Sequence, residues 1–119
     1  MSIIYLTNDL MFSSRVTGAA QAAGVEVRVV GSIAGLLESL SNEDLRLVLM
    51  DLTLSGLDPT TALPEIRGAS TNVTVIAYGP HVHEQKLAAA NDAGCDFVLS
   101  KGQFSSSIAN LIDKYARPA

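Results

Sequence analysis

Short runs of aliphatic and β-branched residues recur along the chain, each followed by a longer stretch whose apolar residues keep helical spacing. Parallel strands can be joined only by a crossover long enough to hold a helix, so this alternation is the sequence form of successive βαβ units. It predicts an α/β fold built on five parallel strands. The first run, Ile3-Ile4-Tyr5-Leu6, ends in Thr7-Asn8-Asp9 and leads into a helix over about 10–23 that Gly24 closes with a left-handed cap. Val25 to Val30 alternates in part, as an edge strand does. Ser32 then caps a helix whose Ile33, Leu36, Leu37 and Leu40 make one buried stripe. Leu45 to Met50 reads as the central strand. Asp58 and Pro59 read as N-cap and first helical residue, while Pro64 predicts a short or bent helix. Val73 to Ala77 is the fourth strand, the helix with Leu87 to Ala90 stops at Gly94, and Phe97 to Leu99 is the fifth strand. A last amphipathic helix carries Ile108, Leu111, Ile112 and Tyr115.

Composition limits what such a sheet serves. The 119 residues are 48% hydrophobic and 17% charged, enough to bury a core without a metal or disulfide staple. With no repeat or linker in view, one domain over residues 1–119 is expected. Twelve acidic side chains against eight basic ones give a net charge of -4, which disfavours a nucleic-acid partner. The apolar runs fall well short of the roughly 18 residues a membrane span needs. One cysteine, Cys95, and no basic segment leading into a long apolar one set the expectation of a cytoplasmic location. Cys95 itself reads as a small buried residue with no redox role.

Ligands of an open parallel sheet collect beyond the carboxyl ends of its strands, where loops and helix N-termini converge. Those ends carry Asn8 and Asp9, then Asp51, then Gly79, then Lys101. Oxygen ligands from Asp9 and Asp51, helped by a backbone carbonyl, suit Mg2+, which keeps several waters and needs only one or two carboxylates. Lys101 is placed to offset the remaining negative charge. Asp9 reads equally well as the N-cap of the first helix. His81 and His83 form a His-x-His with no third ligand nearby to complete a zinc site. Ser105, Ser106 and Ser107 are read as caps at the start of the last helix, with no regulatory role.

Over nearly its whole length the chain resembles the receiver domain of two-component response regulators. The resemblance rests on Ile3 to Asp9 as a first strand with its acidic pair, Val48-Leu49-Met50-Asp51 as the acceptor strand, and Leu54-Ser55-Gly56-Leu57-Asp58 after it. Ile66-Arg67, Ala93-Gly94-Cys95-Asp96 and Lys101 follow in the family's order. It implies a flavodoxin-like, doubly wound sheet of order 2-1-3-4-5 with helices on both faces. It further implies a signalling module rather than an enzyme, in which Asp51 accepts a phosphoryl group. Asp9, Asp51 and the Thr53 backbone carbonyl would hold Mg2+, and Lys101 would neutralise the phosphoryl oxygens. Partners would be proteins, a sensor kinase or a downstream target, and the chain a monomer or homodimer.

Four positions depart from the family pattern. Asn8 replaces the first acid, Gly79 stands where a serine or threonine binds the aspartyl phosphate, and Val98 replaces the aromatic that answers that hydroxyl. Gly102 also replaces a proline. Tyr78 and Phe97, beside these positions, are expected on the opposite face by strand alternation. The departures favour a second class, a phosphorylation-independent pseudo-receiver that acts as a protein interaction module. A haloacid-dehalogenase-type phosphotransferase would need Asp51-Leu52-Thr53 on the first strand of a longer chain. A flavodoxin-like FMN binder would need a phosphate loop where this chain has Thr7 to Phe12 with a carboxylate inside it.

Overall fold

The computed structural model describes residues 2–40, 44–69 and 72–116. Strands and helices alternate as β1 (Ser2–Leu6), α1 (Leu10–Ala23), β2 (Glu26–Val30), α2 (Ile33–Ser39), β3 (Leu45–Asp51), α3 (Pro59–Ala69), β4 (Thr74–Gly79), α4 (Glu84–Ala93), β5 (Phe97–Ser100) and α5 (Lys101–Tyr115). The strands form one parallel sheet in the order β2-β1-β3-β4-β5. All of β3 except Arg46 is buried, as the central strand of a sheet covered on both faces must be.

Strand alternation splits the core in two. Ile4, Leu6, Val48, Met50, Val75 and Ala77 face α2, α3 and α4, packing on Leu36, Leu63, Ile66 and Ala90. Ile3, Tyr5, Leu47, Leu49, Ile76 and Tyr78 face α1 and α5, packing on Val16, Ala20, Phe104, Ile108 and Ile112. Gly24 and Gly94 close α1 and α4 at φ 72° and 104°, where a Cβ would be strained. Asp9 and Ser32 cap α1 and α2 by accepting from Phe12 and Gly35 N–H groups.

The family-like motifs remote from the strand ends turn out to be a structural clip. Arg67 donates to the Val73 carbonyl at 2.6 Å, the Gly94 carbonyl at 3.1 Å and Asp96 Oδ2 at 2.8 Å. Asp96 Oδ2 also accepts from the Val75 N–H at 2.7 Å, so one ion pair ties α3 to the entrances of β4 and β5.

Four local expectations need correcting. Leu37 is 41% exposed, so the buried side of the short α2 is narrower than its four apolar residues imply. The helix around Pro64 runs unbroken from Pro59 to Ala69, because Pro64 lies on an exposed face and interrupts only a solvent-side bond. Strand β4 continues through Tyr78 to Gly79, paired there with Ser100. Ser105, Ser106 and Ser107 lie inside α5, whose cap is Ser100 in a reciprocal capping box with Gln103.

Candidate functional site

The register aligns the carboxyl ends of the central strands: Leu6 pairs with Met50, Asp51 with Tyr78, and Gly79 with Ser100. Asp51 therefore closes β3 inside the crevice, with Asp9 at the head of α1 on one side and Lys101 at the head of α5 on the other. The three residues singled out as a cluster are brought to one end of the sheet.

Asp51 is 4% exposed, and polar oxygens so placed need hydrogen-bond partners. Its oxygens are held by two threonines. Thr53 donates to Oδ1 through both its N–H at 2.9 Å and its hydroxyl at 2.6 Å. Thr7 donates its hydroxyl to Oδ2 at 2.7 Å. The Thr7 Oγ1 also accepts from the Asp9 N–H at 3.0 Å, so one hydroxyl joins the acceptor strand to the start of α1.

Lys101 is positioned toward the other carboxylate. Its Nζ lies 3.7 Å from Asp9 Oδ2 and 4.9 Å from the centre of the Phe12 ring. Asp9 divides its oxygens between this pair and the cap, Oδ1 accepting from the Phe12 N–H at 3.0 Å. Its two sequence roles, crevice carboxylate and helix cap, thus coexist.

Asn8 contributes no acid and is exposed. A Cβ built on Gly31 would lie only 2.6 Å from Asn8 Oδ1, so the amide rests against the turn between β2 and α2. Gly79 is lined by Leu52 and Leu87, and Val98 packs with that same layer. Tyr78 is on the opposite face, as alternation requires, and Phe97 meets Tyr115 at a ring separation of 5.1 Å. His81 and His83 are exposed, and no group of three His, Cys, Asp or Glu side chains suited to a metal occurs among the described residues. Cys95 is buried, which pushes its thiol up to about 11 and leaves little thiolate at neutral pH.

Behind Thr7 lies a buried hydroxyl pair that sequence reasoning missed. Tyr5 and Tyr78, far apart in the chain, hydrogen-bond through their hydroxyls. Burial pushes Tyr5 up to about 12 and raises Tyr78 as well. Period-two alternation along β1 does place Thr7 on the face of Ile3 and Tyr5, and that was the available signal.

The carboxylates that meet at the crevice, Asp9 and Asp51, are both oxygen donors. Hard donors of this kind fit magnesium, provided the cation displaces Lys101 from Asp9 and shares Asp51 with its threonines.

Comparison with known proteins places this geometry. The sequence matches the family model for the response regulator receiver domain over residues 7–113. The chain belongs to that family. Among solved structures, this receiver is similar to the receiver domain of NtrX from Brucella abortus, at 19% identity, 98% of this chain, 99% of that chain and a TM-score of 0.79. It is also similar to the receiver domain of the response regulator TorR of the TMAO respiratory system, at 21% identity, 95% and 97% coverage and a TM-score of 0.78. The receiver domain of sensor histidine kinase PA1611 from Pseudomonas aeruginosa PAO1, described with a magnesium ion in its active-site cleft, is 19% identical over 94% and 97% of the two chains, with a TM-score of 0.72. These likenesses establish the flavodoxin-like receiver fold. A search of curated proteins by sequence gives no match. No described helix is long and apolar enough to cross a membrane.

Proposed function

We propose that this receiver accepts a phosphoryl group on Asp51 and passes its state on through contact with other proteins. The observation that carries this reading is the Asp51 carboxylate itself, buried at the end of β3 yet aligned with Asp9 and Lys101 at the mouth of one crevice. In the transfer, an Asp51 oxygen forms a bond to phosphorus while the bond to the donor breaks, and the leaving group departs with that electron pair. Asp9, Asp51 and the Thr53 carbonyl are the residues that would hold magnesium, which supplies charge neutralisation for the phosphoryl oxygens. Lys101 adds a second positive charge once it turns from Asp9. The magnesium reported in the cleft of the PA1611 receiver supports the same ion here.

A second reading has its own support. Gly79 and Val98 remove both members of the usual hydroxyl-to-aromatic relay, and Asp51 already has three donors without any metal. These features favour a pseudo-receiver that binds its partner whatever the state of Asp51. Incubation with acetyl phosphate and magnesium, followed by intact-mass measurement, separates the two. One added phosphoryl group in the parent and none in Asp51→Asn supports the acceptor; no labelling of the folded parent leaves the pseudo-receiver.

A further inference from the structure

The residues that normally report an acceptor's state lie on the α4 face of the sheet, and here they are Gly79 and Val98. Asp51 shares the other face with Leu47 and Leu49, and it is on that face that its contacts continue. We propose that Thr7 couples the state of Asp51 to the aromatic layer beneath α1 and α5.

The coupling runs through contacts that adjoin one another. Thr7 has one hydroxyl hydrogen, and it is given to Asp51 Oδ2. Its oxygen is then only an acceptor, and it takes the Asp9 N–H at 3.0 Å. Tyr5 precedes Thr7 by two residues on the same face of β1, and Tyr78 is the cross-strand partner of Asp51 on that face. Asp51 Oδ2 thus sets the rotamer of Thr7, whose side chain lies on the face of the Tyr5–Tyr78 pair. Tyr78, the inner member of the tyrosine pair, stacks on Phe104 of α5 with ring centres 4.0 Å apart and planes within 4°. Phe12 of α1 lies 6.0 Å from both rings. Phe12 carries the Lys101 ammonium on its face, and Arg15 one turn on donates to Ser105 Oγ at 2.6 Å and to the Ser105 carbonyl at 2.8 Å. Replacing Asp51 Oδ2 by an amide nitrogen, or bonding it to phosphorus, changes the acceptor that orients Thr7. The change is then felt where α1 and α5 meet.

The inference deepens the acceptor reading, and its test is arranged to stand without it. Side-chain NMR of Tyr5, Tyr78 and Phe104 is compared between the parent and Asp51→Asn, and again between Thr7→Val and the Thr7→Val/Asp51→Asn double variant. The expected result is that Asp51→Asn shifts these rings and the α5 amides in the parent and leaves them unmoved when Thr7 is valine. Thr7→Ser, which keeps the hydroxyl, should restore the shifts. Equal shifts in both backgrounds overturn the proposal. Should Thr7→Val fail to fold, Tyr78→Phe removes the Tyr5–Tyr78 hydrogen bond, and persistence of the Phe104 shift there overturns it equally. Addition of magnesium and beryllofluoride to the parent separates the two readings. Shifts at Asp9, Asp51 and Lys101 without any at Phe104 overturn the coupling and keep the acceptor. No shift anywhere overturns the acceptor, and the Asp51→Asn comparison still decides the coupling.

Discussion

The Lys101 ammonium is paired with Asp9, 3.7 Å from its Oδ2, and so lies on the carboxylate that a cation would also have to use. The pair is partly exposed, and pairs of that kind are worth about 0–1 kcal/mol. Lys101→Met should therefore raise magnesium affinity by about fivefold at most, read by NMR titration of the Asp9 and Thr53 amides. Labelling by acetyl phosphate should fall in the same variant by about tenfold or more, because a positive charge on the transferring group is lost. A weaker magnesium affinity would show that the pair does not compete with the ion.

Gly79 has a β-strand backbone with room for one more carbon. An added Cβ would sit 3.4 Å from Leu52 Cβ and 3.8 Å from both Leu52 Cδ1 and Leu87 Cδ2, ordinary contact distances. Gly79→Ala should stabilise by about 0.4–1 kcal/mol in urea unfolding, since the unfolded chain loses more freedom than the folded one. Threonine pushes further atoms against Leu52 and Leu87 and should cost about 1–3 kcal/mol. Combined with Val98→Tyr, it should give α4 and β5 amides a beryllofluoride response that the parent lacks. If the two proteins respond alike, the missing hydroxyl is not what silences that face.

Arg67 makes its three hydrogen bonds at the pole of the sheet opposite Asp51. Arg67→Met should lower stability by about 2 kcal/mol, with the Val75 amide exchanging faster, because Asp96 loses its charged partner. Magnesium binding should be unaffected. A weakened magnesium titration would mean that the clip reaches the crevice.

Stability should fall at alkaline pH, with a defined onset. Burial raises Cys95 from 9.0 to about 11 and Tyr5 from 10.0 to about 12. Both groups are neutral when protonated, so above pH 9 the unfolded chain releases protons that the folded one keeps. The stabilisation is complete below the unfolded values and is lost as pH rises toward the folded ones. Urea midpoints should be flat to about pH 9 and decline beyond it, and Cys95→Ala should delay the onset. At pH 8 the thiol should react with a disulfide reagent about tenfold or more slowly in the folded than in the unfolded protein. A thiol that reacts equally fast in both would refute its burial.

The alternation of strand and helix signals made the fold legible, because hydrophobic periodicity is local and each βαβ unit repeats it. Asp9, Asp51 and Lys101 were legible too, since a strand end is marked by the switch from aliphatic to polar residues. Their pairing was not. Spacing puts Lys101 near both carboxylates, and only the path of α5, set by the Ser100 and Gln103 capping box, directs it to Asp9. Nor did spacing reveal Thr7 as the Asp51 donor or Tyr5 as the partner of Tyr78, because such contacts join strands that are neighbours in space alone. The serines of α5 were misread as caps for a related reason: a hydroxyl suits a helix start, and the earlier Ser100 holds that place.

The contact between Asn8 and Gly31 has a consequence for anyone recombining this chain with its relatives. With Asn8 Oδ1 only 2.6 Å from where a Cβ of residue 31 would stand, the two positions behave as one steric unit. Transplanting a β2–α2 turn with any side chain at 31 would evict the Asn8 amide from its seat and swing it toward solvent or toward the acidic crevice. Libraries that vary either position should vary both together, since any side chain at 31 requires the end of residue 8 to move.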